Sequence, residues 1–282
     1  GRISRYVRFV RYIVMYASQY DAVFCHMNPE FVIAGAWWWR LTGKRVALWY
    51  VHGTVSLRLR FALLFSHAAF TVNEESLRVK SRKVHYYGHG IDVDFFTSGY
   101  RLLHDELLVV SVSRIAPSKH IDTVIEAVRL AREQGAQVRL SILGGPLTER
   151  DVTYDAELRA TASPHLFVKF LGSQPPQFVR EALSSADIFI NASSTNSVDK
   201  AVLEAMASGV VPITNNPAFK NMLHTFGLYV EDRSPKALAD KLVELSKADL
   251  KPLRESVRAE VVSHHALPAL ITSILQSYEP RV

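Results

Sequence analysis

Two cations follow a strongly apolar run near the middle of the chain. Arg114 and Lys119 come soon after LLVVSV (107–112), which is typical of a strand buried on both faces. In open α/β sheets, ligands bind beyond the carboxyl ends of the strands, where helices begin. A guanidinium and an ammonium at that position would neutralise a diphosphate. The alternative is that the two side chains form a solvated pair at the rim of the sheet.

Two later loops lie in the same setting between a strand and a helix. Gly144 stands in LGGP (143–146), and ASSTNSVDK (192–200) supplies hydroxyls and backbone N–H groups at a helix start. Free N–H groups and the partial positive charge of a helix N-terminus favour phosphate. The sequence has no G-x-G-x-x-G fingerprint, which argues against a nicotinamide or flavin enzyme, and it has no P-loop.

The elements that position these loops alternate between strand and helix. Apolar runs predict strands at 21–25, 45–51, 69–72, 83–87, 107–112, 138–143, 166–171, 187–191 and 210–214. A helix is predicted from Glu74, Ser118 is the predicted cap of the helix after the fifth strand, and Asn196 or Ser197 that of the helix over 199–208. The pattern predicts an α/β fold with two parallel sheets, in two Rossmann-like domains that face each other across a cleft.

The length of 282 residues accommodates two domains. The loose polar stretch after the fourth strand predicts a first domain over 1–99 and a second over 100–265. The segment 266–282 is predicted to form a C-terminal helix that packs near the domain junction.

The charge balance is basic, with 33 Lys and Arg residues against 27 Asp and Glu residues. A basic chain favours anionic partners, but no nucleic-acid-binding motif accompanies the charge, so nucleic acid is not an expected partner. The single cysteine, Cys25, excludes an internal disulfide and a cysteine-based metal site. Without a signal peptide or an apolar run of about 18 residues, the expected location is the cytoplasm.

The first helix carries a row of cations. Arg2, Arg5, Arg8 and Arg11 recur at every third position. Such a row is either a solvated face or a surface that docks peripherally on the anionic inner face of a membrane.

Taken together, the motifs resemble one family. VSVSRIAPSKHIDTVIEA, LGGP, VKFLG and SSTNSVDKAVLEAMASGVVPI are similar to the donor-binding domain of family-4 retaining glycosyltransferases of the GT-B fold, also called glycosyl transferases group 1. LWYVHG, FTVNEESLR and VHYYGHGIDVDFF resemble the second half of that family's N-terminal domain. The resemblance runs from about Asp21 to about Thr214, so we expect the first domain to be truncated at its front.

The resemblance implies transfer of a sugar from a nucleoside diphosphate donor, with UDP or GDP, to a glycan or lipid-linked acceptor in cell-envelope polysaccharide synthesis. It implies retention of configuration and no requirement for a metal or another cofactor. Arg114 and Lys119 would hold the donor diphosphate, and Glu204 the ribose hydroxyls. His52 would lie at the acceptor side, close to the transferred sugar.

One residue departs from the family pattern. Asn196 stands where the family has the first glutamate of a pair, beside the transferred sugar, and an amide cannot supply negative charge there. Asp199 and Lys200 are also unusual and could take over part of that role. The other predicted donor contacts are Gly144, Gly172, Ser197 and Val198. Two alternatives stay open: a non-catalytic nucleotide-sugar-binding protein, and a sugar-nucleotide epimerase on the same fold.

Overall fold

A computed structural model describes residues 1–74, 76–99, 106–195 and 197–279, without the side chain of Arg2. It divides into two compact units, Gly1–Gly90 with His264–Val282, and Ile91–Ser263. Each unit contains one parallel sheet, so the predicted α/β class with two parallel sheets is confirmed. Elements are numbered in chain order.

The first unit holds a four-stranded sheet in the order β1-β2-β3-β4. Its strands are β1 (Ala22–His26), β2 (Arg45–Trp49), β3 (Ala68–Thr71) and β4 (Val84–Tyr86). Its helices are α1 (Arg2–Met15), α2 (Pro29–Leu41), α3 (Leu57–Phe65) and, from the end of the chain, α11 (Leu267–Gln276). The helices pack their apolar sides on the sheet. Val32 and Trp39 of α2, Leu48 of β2 and Leu59 of α3 are almost fully buried in one cluster.

The second unit holds a five-stranded sheet in the order β7-β6-β5-β8-β9. Its strands are β5 (Leu107–Val112), β6 (Val138–Leu143), β7 (Val168–Gly172), β8 (Ile188–Asn191) and β9 (Val211–Thr214). Its helices are α4 (Ile121–Glu133), α5 (Glu149–Ala162), α6 (Pro176–Ser185), α7 (Lys200–Ala207), α8 (Lys220–Leu223), α9 (Pro235–Leu245) and α10 (Lys251–His265), whose last turn enters the first unit. The chain order reverses between β5 and β8, which makes the gap between their carboxyl ends the topological switch point.

The predicted helix from Glu74 is wrong. The described residues after β3 form a turn, in which the Asn73 side chain accepts a hydrogen bond from the Ser76 N–H at 2.9 Å. A short side chain that bonds its own backbone in this way competes with helix formation. Leu77, one residue later, is buried and anchors the turn.

The predicted helix caps also differ. Ser118 lies within a short 3-10 turn, and His120 is the N-cap residue of α4. Ser197 does not cap α7, since the residue at that position is Asp199. Asn196, the alternative cap, lies outside the described residues. In both places, the N-cap residue lies two residues after the predicted serine cap.

The units divide at Gly90 instead of near residue 99. Val93 and Phe96 are buried, and the Arg258 guanidinium donates to their carbonyl oxygens at 3.3 and 3.1 Å. These contacts attach the stretch after Gly90 to the second unit. In the part of the chain that the structure describes, no helix has the length and hydropathy needed to cross a membrane.

Candidate functional site

The loops that the sequence analysis singled out lie at one edge of the second sheet. The loop with Arg114 and Lys119 follows β5, Gly144 follows β6, and the loop over 192–199 follows β8. All five strands of this sheet are parallel, so their carboxyl ends meet at the same edge. This is the edge at which ligands of open α/β sheets bind.

Arg114 and Gly144 line the same pocket of about 270 Å³, together with Ser173 beside Gly172. The Arg114 side chain is exposed, so its guanidinium is available to an anion at the pocket. Ser113 also lines the pocket. The pocket therefore lies over the ends of β5, β6 and β7.

Gly144 allows the ends of β5 and β6 to approach each other closely. Its φ is +135°, and a Cβ added there would meet the Ser113 carbonyl oxygen at 1.7 Å. Its N–H donates to the Gly172 carbonyl oxygen at 2.8 Å, and Gly172 itself has a φ of +70°. Both positions need glycine because their φ values are positive. Gly144 is also required because any side chain there would clash with the Ser113 carbonyl oxygen.

Lys119 is paired with Asp199 across the switch point. Its Nζ donates to Asp199 Oδ1 at 2.6 Å and to Ser193 Oγ at 3.3 Å. The two charged side chains are only 11% and 17% exposed, so water screens their attraction weakly. The ion pair joins the loop after β5 to the loop after β8.

A network of hydrogen bonds among polar side chains supports this ion pair. Asn191 Nδ2 donates to Asp199 Oδ2 at 3.1 Å, and Thr214 Oγ1 donates to Asn191 Oδ1 at 3.0 Å. The Asn216 N–H donates to Thr214 Oγ1 at 3.0 Å, and its amide Nδ2 donates to the Ser197 carbonyl oxygen at 2.9 Å. The network fixes the position of the Asp199 carboxylate.

The same network explains the absence of a side-chain cap on α7. Asp199 is the N-cap residue, but its two carboxylate oxygens accept from Lys119 and Asn191. The start of the helix therefore keeps backbone N–H groups that no side chain of the cap satisfies.

The turn after Lys119 has a strained backbone. His120 has a φ of +48°, which is uncommon for a residue with a side chain. Its Nε2 lies 3.1 Å from Ser194 Oγ, and the Ser194 N–H donates to the Ser118 carbonyl oxygen at 3.0 Å. These bonds tie the two loops together a second time and stabilise the strained turn.

Glu204 lies on α7, five residues beyond the ion pair. Burial raises the pKa of Glu204, and the positive charge of Lys200 opposes this effect. Lys200 and Ser197 are exposed, whereas the Val198 side chain is buried. Asn196 lies outside the described residues.

His52 belongs to the first unit, where it follows β2. Its side chain is exposed, and Nδ1 accepts a hydrogen bond from the Thr54 N–H at 3.2 Å. The His52 N–H donates to the Ser76 carbonyl oxygen at 2.9 Å. Because Nδ1 accepts, a neutral ring carries its proton on Nε2 and presents a donor to solvent.

Sequence reasoning missed the residues that support the ion pair. Asn191 and Thr214 end strands β8 and β9 and are buried polar residues. A polar residue that ends a fully buried apolar strand at the ligand edge was the available signal. In the described residues, there is no group of three or more His, Cys, Asp or Glu that could hold a metal ion.

Two curated relatives show how far the similarity extends. The amylovoran biosynthesis glycosyltransferase AmsK of Erwinia amylovora is 29% identical over 197 residues, which cover 64% of this chain and 47% of that protein. The D-inositol 3-phosphate glycosyltransferase of Nocardia farcinica is 34% identical over 108 residues, or 37% of this chain and 24% of that protein. The chain thus spans less than half the length of these relatives.

Solved structures share the fold. HepE of Anabaena, solved in complex with UDP, matches with a TM-score of 0.76 at 16% identity, over 95% of this chain and 81% of that one. A glycosyltransferase from Rickettsia africae matches with a TM-score of 0.78 at 16% identity, over 98% and 80%. These matches show the GT-B fold.

The family profile described as glycosyl transferases group 1 matches residues 106–248, which is just over half of the 282 residues. The matched segment begins before β5 and ends after α9, so it contains every loop of the ligand edge described above. The chain therefore belongs to the glycosyl transferases group 1 family.

Proposed function

We propose that this chain transfers a sugar from a nucleoside diphosphate donor to a glycan or lipid-linked acceptor, with retention of anomeric configuration. The observation that carries the proposal is the convergence of Arg114, Lys119 and the start of α7 at the carboxyl edge of the second sheet. Two cations and a helix N-terminus suit a diphosphate. The sequence has no P-loop, so these groups would hold the diphosphate in place of one.

In this proposal the cationic loop stabilises the departing diphosphate. Negative charge grows on the diphosphate as the bond to the sugar breaks, and Arg114, Lys119 and the first N–H groups of α7 would face that charge. Glu204 would accept hydrogen bonds from the ribose hydroxyls. We expect side chains to supply the cations, so transfer should continue in the presence of a chelator.

The Lys119–Asp199 ion pair shapes how the donor would bind. A diphosphate must share the ammonium with a carboxylate that already lies 2.6 Å away. Asp199 would then remain beside the transferred sugar and supply the negative charge that Asn196 lacks. We propose this role for Asp199 because the supporting network fixes the position of its carboxylate.

The proposed acceptor belongs to polysaccharide synthesis at the cell envelope. AmsK and a capsular polysaccharide glycosyltransferase of Staphylococcus aureus, which is 26% identical over 161 residues, support this class of acceptor. The UDP in the HepE structure supports UDP as the donor nucleotide. His52, with its exposed Nε2, would be the contact on the acceptor side.

An assay of donor turnover tests the proposal against its two alternatives. The chain is incubated with UDP- and GDP-sugars, with and without a lipid-linked glycan fraction, and the nucleoside diphosphate and sugar products are analysed. Nucleoside diphosphate release that depends on the acceptor supports the transferase. Epimerised sugar nucleotide without acceptor would indicate the epimerase, and binding without any turnover would indicate the binding protein.

We further propose that α1 docks on an anionic membrane surface. Arg5, Arg8 and Arg11 are exposed, and the same helix exposes 80% of Ile3 and 64% of Val7. No acidic residue occurs before Asp21. A helix that exposes cations and apolar side chains together is typical of peripheral membrane contact.

A further inference from the structure

A second basic pocket lies in the first unit. Residues at β3, at β4 and at the end of α11 line it. Its volume is about 430 Å³, which is within the usual range for small-molecule sites. Arg45 and His67 line it at the amino ends of β2 and β3. His52 follows the carboxyl end of β2, so this pocket lies at the opposite end of that strand from His52.

The charges that line the pocket are mostly positive. Arg45, Arg82 and Lys83 are cationic, and Glu279 is the one carboxylate among the described lining residues. Arg45 donates through one terminal nitrogen to the Glu279 carbonyl oxygen at 2.8 Å, so this bond does not use the carboxylate. Lys83 donates to the last carbonyl oxygens of α3, Leu63 at 3.0 Å and Leu64 at 3.1 Å. The pocket thus carries an excess of positive charge.

His67 supplies an imidazole donor to the pocket. The Arg45 Nε has no hydrogen-bond partner among the described residues but is itself buried, so Arg45 contributes its positive charge to the pocket. His67 Nδ1 accepts from the Val46 N–H at 3.0 Å, so a neutral His67 ring carries its proton on Nε2. Burial and then the charges of Arg45 and Lys83 lower the pKa of His67, which favours this neutral form.

Aromatic rings form one wall of the pocket. The His85 ring stacks on Phe70 at 5.6 Å and on Tyr87 at 6.2 Å between centroids. All three residues line the pocket, and Tyr87 is exposed. Ring faces beside cations suit a ligand with a planar or sugar-like body and an anionic group.

We propose that this pocket binds a phosphomonoester, with its phosphate against Arg45, Arg82 and His67 and its organic group against the rings of His85 and Tyr87. A phosphate accepts several charge-assisted hydrogen bonds at once, which matches two guanidinium groups and an imidazole N–H. The site is independent of the proposed donor site, because all of its residues belong to the first unit.

A titration with phenyl phosphate tests this inference, since that compound joins a planar ring to a phosphomonoester. Carbon–proton correlation spectra of the histidine rings in the full chain report locally, with His67 and His85 assigned from His67→Gln and His85→Gln. We expect saturable shifts of both resonances, and weaker binding of inorganic phosphate, which lacks the ring. Arg82→Gln should weaken phenyl phosphate binding by about tenfold.

Arg58→Gln is the matched control, because Arg58 is an exposed arginine of the same unit outside the pocket. It should leave the dissociation constant unchanged. Absence of saturable shifts up to about 10 mM phenyl phosphate would overturn the inference. Equal weakening by Arg58→Gln and Arg82→Gln would also overturn it, since binding would then follow net charge alone.

Discussion

At the scale of single residues, Lys119 and Asp199 determine the charge of the proposed donor site. The Asp199 carboxylate neutralises the ammonium, and both side chains are largely shielded from water. Two residues 80 positions apart in sequence meet in this pair, because β5 and β8 are neighbours in the sheet. Strand runs in the sequence predict the sheet, but they do not predict which loop side chains reach each other across the switch point.

Asp199→Asn should release Lys119 for the ligand. We expect UDP or GDP to bind about tenfold more tightly, because the diphosphate no longer competes with a carboxylate for the ammonium. Sugar transfer should fall at the same time if Asp199 supplies charge beside the sugar. Calorimetry and turnover assays measure the two effects. Weaker nucleotide binding in this variant would show that Asp199 only positions Lys119.

Glu204→Gln should stabilise the fold while weakening nucleotide binding. Burial raises the pKa of Glu204, so its ionised form is less stable in the folded chain than in the unfolded chain. That cost is present at neutral pH and disappears as the pH falls through the folded pKa. We expect a gain of about 0.5–1 kcal/mol in unfolding free energy at neutral pH and none in acid. Urea unfolding at several pH values checks this, and equal stability of both forms at neutral pH would contradict it.

At the scale of elements, the junction of α10 and α11 is built around a neutral histidine. His265 ends α10, its Nδ1 accepts from the His89 N–H at 3.4 Å, and Gly88 leaves no room for a Cβ beside it. The close approach explains why a glycine with a φ of +69° stands at position 88. The sequence indicates a positive φ for Gly88, but it does not reveal the histidine that lies 177 positions later.

The pH dependence of stability should follow this histidine. Burial, with a smaller effect of His264, lowers the pKa of His265 from its ordinary value of 6.5 to about 4. The neutral ring therefore stabilises the fold above pH 6.5, and this stability is lost as the pH falls from there towards 4. His265→Asn, which keeps an acceptor near Nδ1, should remove about 1–3 kcal/mol of this acid dependence. Unfolding curves with unchanged pH dependence would count against this prediction.

Helix α1 should carry most of the affinity for anionic vesicles. Replacing Arg5, Arg8 and Arg11 by Gln removes about 1 kcal/mol per residue near an anionic surface, so binding should fall about a hundredfold. Vesicle co-sedimentation measures this loss. The control is a triple variant with the same net charge, made at three exposed arginines elsewhere, Arg58, Arg150 and Arg233. Equal loss in both triple variants would assign vesicle binding to net charge instead of α1.

At the scale of the whole molecule, the order of strands and helices was predictable from the sequence and the contacts between distant loops were not. Apolar runs separated by helical patterns account for the nine described strands, within a residue or two at most ends. The helix expected from Glu74 failed because one asparagine bonds its own backbone. After Gly90 the chain bonds to a guanidinium of α10 in the second unit, and no local pattern reports such a contact.

The central claim is that a nucleoside diphosphate binds at the loop after β5. The measurement that tests it most directly is calorimetric titration of the chain with UDP, GDP and AMP in the presence of a chelator, repeated with Lys119→Ala and with the control Lys236→Ala on α9. We predict saturable binding of UDP or GDP, a loss of about tenfold to a hundredfold in Lys119→Ala, and no change in the control. Equal affinity of the Lys119→Ala and unsubstituted chains, or no binding of either nucleoside diphosphate, would contradict the account.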